Sequence, residues 1–325
     1  SSDELQTPPR RCDNAMADGA YTNLSALTRL KYQAKRFSFL PRQPVRSLLA
    51  GRKASRLRGR GLNFEEIRNY LPGDDIRSID WKVTARMRKP HTRVYTEERD
   101  RPTLLVIDQR VGMFFGSRVT MKSVTAAEVA ALAAWRSLDV GDRVGAIVFN
   151  DSDTVVVKPR RSSKTVMQIL QAVVQQNTAL SANGTTPADP GRLNTILGEA
   201  CRISTHDTLV CIISDFHGND ETTRRLLNRL ARHNDIIAAF VFDPLEAEFP
   251  NAGHLVAGDG TKQIEFNSAD DKLRRGFAKA FEDRLEKARQ FLLRRQIPVL
   301  PLRTDLPVVE QVAKLLGHPP QGRQP

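Results

Sequence analysis

The chain has 325 residues, 40% hydrophobic and 27% charged, enough for one or two packed domains and ordinary for a soluble globular protein. Cys12, Cys201 and Cys211 show neither disulfide nor metal spacing, no apolar run approaches a membrane span, and the N-terminus lacks the apolar core of a secretory signal, so a cytoplasmic protein is expected. The formal net charge is +13, and Arg42, Arg46, Arg52, Lys53, Arg56, Arg58 and Arg60 form a basic stretch over 42–60 without a single acid.

Such a run can meet nucleic acid, an anionic surface or an acidic protein. No stacking aromatic is interleaved in it, and no helix-turn-helix, zinc-finger or RNA-recognition signature accompanies it. A solvated arm or protein contact is therefore the preferred reading, and nucleic-acid or anionic-surface binding the alternative.

Residues 1–25 read as a disordered extension, either native or lying upstream of a true start at Met16. A charged segment follows over 26–101, opening with a mixed helix at 24–36 that Pro41 and Pro44 interrupt. Within it, Pro72-Gly73-Asp74-Asp75 is a turn sequence, with Asp74 or Asp75 placed to cap a short helix through Arg77 to Trp81. The mixed charges around Tyr70 and Trp81 suit a structural clasp on the main domain, a recognition surface for a partner, or both.

The pattern then changes, and 102–318 reads as one α/β domain with a tail at 319–325. TLLVID (103–108) is a short apolar run of the kind a strand buried on both faces requires. Residues 122–138 are Ala-rich with helical spacing; 143–149 and 154–159 form a strand pair joined by a turn. A helix at 162–176 leads to a loop at 177–191, a helix at 192–204 and a buried strand at 208–216. Helix 221–233, strand 235–244, a hairpin at 254–266 turning at Gly258 and Gly260, a basic helix at 270–295, strand 297–302 and helix 306–317 complete the chain. This alternation predicts a doubly wound, mainly parallel sheet with one antiparallel edge strand.

Open α/β sheets bind ligands at the carboxyl ends of their strands, beside the switch point. With strand order 3-2-1-4-5-6, Asp108 and Asp215 end neighbouring strands there, and the loop carrying Thr185 and Thr186 can reach the same place. Two carboxylates and a hydroxyl suit Mg²⁺.

These elements and the Asp108, Thr185/Thr186, Asp215 pattern resemble a von Willebrand factor A-type domain. That resemblance implies a metal-ion-dependent adhesion site, whose first motif is Asp-x-Ser-x-Ser. The segment FEEIRNYLPGDDIRSIDWKVTARMRK (64–89), with RVYTEERDR (93–101), closely resembles the signature of the bacterial family called domain of unknown function 58. Tyr70, Gly73, Asp74, Asp75, Arg77, Asp80, Trp81, Ala85, Arg86 and Glu98 carry the match, which covers roughly 45–245. Members are typically encoded beside MoxR-type AAA+ ATPases, so the resemblance implies such an ATPase as partner.

The first metal motif departs from the pattern, because Arg110 and Gly112 stand at the two serine positions. A guanidinium about 4 Å from a carboxylate gains on the order of 4 kcal/mol of gross Coulomb energy at an effective dielectric near 20. Three states of Asp108 and Asp215 follow: a site satisfied by Arg110 without metal, which is preferred; Mg²⁺ bound by Asp108, Thr185 and Asp215; or Arg110 turned to solvent.

No Ser-His-Asp constellation, nucleophile elbow, P-loop or zinc-protease motif is present. The expected function is therefore a non-enzymatic binding or adaptor protein with a degenerate adhesion site, whose face comprises Asp108, Arg110, Gly112, Thr185, Thr186 and Asp215. A metal-dependent hydrolase using Asp108 and Asp215 is the enzymatic alternative.

Overall fold

The computed structural model describes residues 17–36, 62–71, 76–97, 102–181, 191–247, 253–258, 263–276 and 297–316, together with Asp189 and a few residues between 279 and 286. They fall into two compact units, one within 42–100 and the other formed by segments of 1–41 and 101–325. The basic stretch 42–60 lies outside the described residues.

In the larger unit the chain enters through two short helices, α1 (Ala17–Ala20) and α2 (Leu24–Arg29). Asn23 caps α2, its side chain accepting from the Ala26 amide at 2.9 Å. Leu27 is fully buried in the core of the larger unit. Residues 17–25 thus belong to the packed layer and not to a disordered extension ending at 25, while 1–16 lie outside the described residues. The apolar face of 24–30, together with Ala34, gives this segment something to bury, and it packs as an outer layer of the α/β core.

The smaller unit is a hairpin of β1 (Leu62–Asn69) and β2 (His91–Glu97), antiparallel. The register shifts between Phe64 and Glu66, and this irregularity breaks the apolar/polar alternation that would have marked a strand in the sequence. Between the strands lies α3 (Trp81–Met87). Its cap is Asp80, whose Oδ1 accepts from the amides of Lys82 (3.0 Å) and Val83 (3.2 Å). A 3-10 turn at Ile76–Ser78 stands where the sequence reading placed a short helix, and the α-helix itself begins at Trp81; Asp74 and Asp75 lie outside the described residues. Trp81, the first residue of α3, is exposed.

The larger unit is built on a six-stranded sheet. Its strands are β3 (Thr103–Asp108), β4 (Val144–Phe149), β5 (Thr154–Arg160), β6 (Leu209–Ser214), β7 (Asp235–Phe242) and, after a small antiparallel pair β8 (His254–Gly258) and β9 (Gln263–Asn267), β10 (Val299–Arg303). The spatial order is β10-β7-β6-β3-β4-β5, with only β5 antiparallel. This is the 3-2-1-4-5-6 von Willebrand A-like order read from the sequence. Every residue of β3, β4 and β6 is buried, as strands covered on both faces must be, whereas β5 alternates exposed and half-buried. Both edge strands carry a proline, Pro159 in β5 and Pro301 in β10, which blunts edge pairing. A side chain at Gly145 would lie 2.5 Å from the Val157 carbonyl oxygen, so only glycine lets β5 cross β4 this closely.

Helices cover both faces. One face takes α4 (Lys122–Asp139), α5 (Ser163–Thr178) and α9 (Val308–Leu316); the other takes α6 (Arg192–Ile203) and α7 (Glu221–Leu230). Between β7 and β8 lies a single helical turn, α8 (Pro244–Ala247). Fourteen of the eighteen residues of α4 are buried, because α2, α5 and α9 close over it as the sheet closes beneath. Its alanines permit this close approach on all sides. Trp135 of α4 donates its indole N–H to the Leu27 carbonyl at 3.2 Å, fixing the outer layer to the helix. Among the described residues no helix is long and apolar enough to cross a membrane.

The outer layer is testable. Leu27→Ala is expected to destabilise the protein by about 2–5 kcal/mol, while Tyr32→Ala, at an 82% exposed position, should stay within about 0.5 kcal/mol. Urea unfolding curves compare the two. Equal stability of both variants would place residues 24–36 outside the cooperative core.

Candidate functional site

The switch point lies between β3 and β6, adjacent parallel strands from which the strand order proceeds outward in opposite directions. β3 ends in Asp108, and Asp215 follows directly on β6. Both carboxylates are buried, and so are Arg110 and Lys122 beside them.

Asp108 is enclosed by donors. The chain turns sharply after β3, so that the Arg110 amide donates to Asp108 Oδ1 at 3.0 Å. The same turn folds the Arg110 side chain back. Its Nε donates to Oδ1 and Oδ2 at 3.0 and 3.1 Å, and its Nη2 to Oδ2 at 2.7 Å. Ser214, the last residue of β6, donates its hydroxyl to Oδ2 at 2.6 Å. The remaining guanidinium face donates to the His217 carbonyl at 3.3 Å and stands 5.9 Å from the centre of the Phe149 ring. Burial would lower the Arg110 pKa, but the charge and hydrogen bonds of Asp108, aided by Asp215 and Asp151, reverse that and raise it above its usual value.

Asp215 has a different cation. Lys122, the first residue of α4, donates Nζ to Asp215 Oδ2 at 2.7 Å and to Glu246 Oε1 on α8 at 2.7 Å. The His217 amide donates to Asp215 Oδ1 at 2.9 Å, and Arg110 Nη2 stands 3.8 Å from the same oxygen. Burial would raise the Asp215 pKa; Lys122, the His217 amide and Arg110 outweigh it, and the pKa is lowered. Burial would likewise lower the Lys122 pKa, and Asp215 with Glu246 raises it. Phe216, between these contacts, holds a positive φ of 53° and is kept there by its buried ring, stacked 6.3 Å from Phe240.

Two further buried polar groups, Gln109 and Asp243, and the half-buried Asp151 lock the loops around this centre. Gln109 bridges the Ser123 carbonyl (2.9 Å) and the Asn177 amide (3.0 Å), while Asn177 accepts from the Thr22 amide (2.9 Å). Asp151 accepts from the amides of Val111 (2.6 Å) and Asp189 (3.1 Å). Asp243, after β7, accepts from the amides of Ser117 (2.8 Å) and Leu245 (2.9 Å) and from the hydroxyls of Ser117 and Thr304.

Of the residues singled out in the sequence, Asp108, Arg110 and Asp215 are brought together. Gly112 lies in a short helical turn with open space where a side chain would project. Thr185 and Thr186 lie outside the described residues. In the smaller unit Asp80 caps α3, Tyr70 donates its amide to the Pro90 carbonyl at 2.8 Å, and Arg77 and Arg86 are exposed; Gly73 and Glu98 are outside the described residues. Lys122, Glu246 and Asp243 went unread. Lys122 opens a helix by composition, and nothing in the local sequence signals that its side chain turns inward.

The described donors are engaged by protein cations and do not present a ready divalent-cation site. Mg²⁺ requires about six oxygen ligands near 2.1 Å. Here both carboxylates are committed to nitrogen cations, Ser214 donates its hydroxyl to Asp108, and positions 110 and 112 supply no hydroxyl. Among the described residues no group of three or more His, Cys, Asp or Glu is arranged to hold a metal ion. Arg110 is directed onto Asp108 and is not turned to solvent, one of the three expected states.

The network has a defined pH range. Asp215, lowered from its usual 3.8, contributes stability above that value and loses it as pH falls through the lower folded pKa. Lys122, raised from 10.5, contributes below that value and loses it as pH rises through the higher folded pKa. Asp215→Asn is expected to cost about 3 kcal/mol or more at neutral pH. The gap from wild type should shrink as pH drops below 3.8 and Asp215 itself becomes protonated. Urea unfolding across acid pH measures it; a gap that does not change with pH would show the ion pair is not its source.

Comparison with known proteins follows the same lines. The family described as "Protein of unknown function DUF58" matches residues 66–287. The uncharacterized protein Mb1516 of Mycobacterium bovis is 30% identical over 287 residues, covering 86% of this chain and 87% of its own. Among solved structures, the conserved hypothetical protein BatB from Bacteroides thetaiotaomicron is similar with a TM-score of 0.36 and 13% identity, over 66% of this chain and 98% of that one. A von Willebrand factor type A protein from Catenulispora acidiphila is similar with a TM-score of 0.28 and 14% identity, over 47% of this chain and 35% of that one. The sheet order, the signature over 64–101 and the family match agree: the chain belongs to the DUF58 family and carries a von Willebrand A-like domain.

Proposed function

We propose that this protein is a non-enzymatic, cytoplasmic adaptor that binds a protein partner through the carboxyl-end face of its sheet. The partner is a MoxR-type AAA+ ATPase or a client delivered to it, a reading supported by the resemblance of its family signature.

The observation that carries the binding reading is what surrounds the ionic centre. Asp108 and Asp215 are saturated by Arg110 and Lys122, so the floor of the face is rigid and its carboxylates are engaged. Apolar side chains stand open beside it. Phe115, whose ring centre lies 5.9 Å from Lys122 Nζ, is 39% exposed, and Val119 in the same loop is 60% exposed. Asp243 holds that loop through Ser117. Exposed apolar anchors on a pre-organised loop are what protein interfaces use at their centres.

Binding of the ATPase to immobilised protein, with and without nucleotide, tests this. Phe115→Ala combined with Val119→Asp is expected to weaken binding at least about tenfold, equivalent to about 1.4 kcal/mol. Val156→Asp, on edge strand β5, should leave it unchanged. Recovery of neither ATPase nor client in any nucleotide state, or equal binding by both variants, would contradict the reading.

A further inference from the structure

We infer that Arg110 and Lys122 act together as a built-in substitute for one divalent cation, so that the adhesion-type site is permanently assembled and independent of metal. The inference stands on the site geometry and does not rest on the partner proposed above.

Two carboxylates end adjacent strands, and a divalent ion between them would bring two positive charges. The structure supplies two positive charges on two side chains, one directed to each carboxylate: Arg110 to Asp108 and Lys122 to Asp215, each at 2.7 Å. The cations come from different places. Arg110 belongs to the loop after β3, and Lys122 to the first turn of α4. Arg110 also reaches toward Asp215, 3.8 Å away, so the two pairs form one cluster. A metal would tie the first loop to the end of β6. Here the guanidinium makes that tie, through Asp108 on one side and the His217 carbonyl on the other.

The position of Lys122 strengthens the point. The N-terminus of a helix carries partial positive charge, and a lysine there is unfavourable. It is also buried, which opposes its charge. Asp215 and Glu246 compensate, so Lys122 is held charged in part by Asp215, one of the two carboxylates that a metal would otherwise occupy.

The test has two arms. Calorimetric titration of the wild-type protein with MgCl₂ and MnCl₂, and its thermal melting with added Mg²⁺ or EDTA, should show no saturable binding and no shift. The variant Arg110→Ser/Gly112→Ser/Lys122→Ala restores two hydroxyls and releases both carboxylates; position 112 has room for the added side chain. It is expected to bind Mn²⁺ and to melt at higher temperature when Mg²⁺ or Mn²⁺ is added, a gain that Asp108→Asn in the same background removes. Saturable Mg²⁺ binding by the wild type, lost in Asp108→Asn, would overturn the inference. So would a folded triple variant that gains no affinity for either ion. If the triple variant does not fold, the wild-type titration decides alone.

Discussion

A buried carboxylate at the end of a central strand is the constraint around which this molecule is arranged. Asp108 is fully buried, and an unpaired charge there would cost several kcal/mol. The chain answers locally. The residue two positions on turns back and grips both carboxylate oxygens, and the turn that permits this also directs the Arg110 amide to Oδ1. A serine from the neighbouring strand completes the shell. Such a buried pair adds little net stability over an apolar alternative. Its consequence is geometric, because the first loop can take only one path out of the sheet.

That path sets the rest of the face. Past Arg110, the Val111 amide is held by Asp151 of the β4–β5 turn, and Ser117 by Asp243 at the end of β7. The loop then delivers Lys122 into the first turn of α4, where it pairs with Asp215 and Glu246. Gln109 extends the ordering the other way, through Asn177 to the Thr22 amide, and so joins the N-terminal layer to the switch point. Charges and amides from six segments thus converge on the carboxyl end of the sheet, while the apolar side chains of the loop, Phe115 and Val119, are left exposed.

The sheet was legible because continuous apolar runs such as TLLVID and TLVCIIS have one physical solution, burial on both faces. Asp108, Arg110 and Asp215 were legible because their places at strand ends follow from topology. Lys122 was not, since a lysine opening an amphipathic helix is normally solvated, and only the tertiary fold turns it inward. The hairpin of β1 and β2 escaped notice because the register shift at Phe64/Glu66 destroys its alternation. The helical character of 24–36 was legible, but its packing as a core layer was not, because its polar composition hides one buried leucine, a buried alanine and an indole hydrogen bond donated to the Leu27 carbonyl.

Side-chain cations satisfy the two strand-end carboxylates, Asp108 and Asp215. The most direct measurement is a high-resolution crystal structure of the full chain grown in Mg²⁺. The expected result is the Arg110 guanidinium seated on both oxygens of Asp108 and Lys122 Nζ on Asp215, with no ion between them. An octahedral ion bound to Asp108, with Arg110 swung away from the carboxylate, would contradict it.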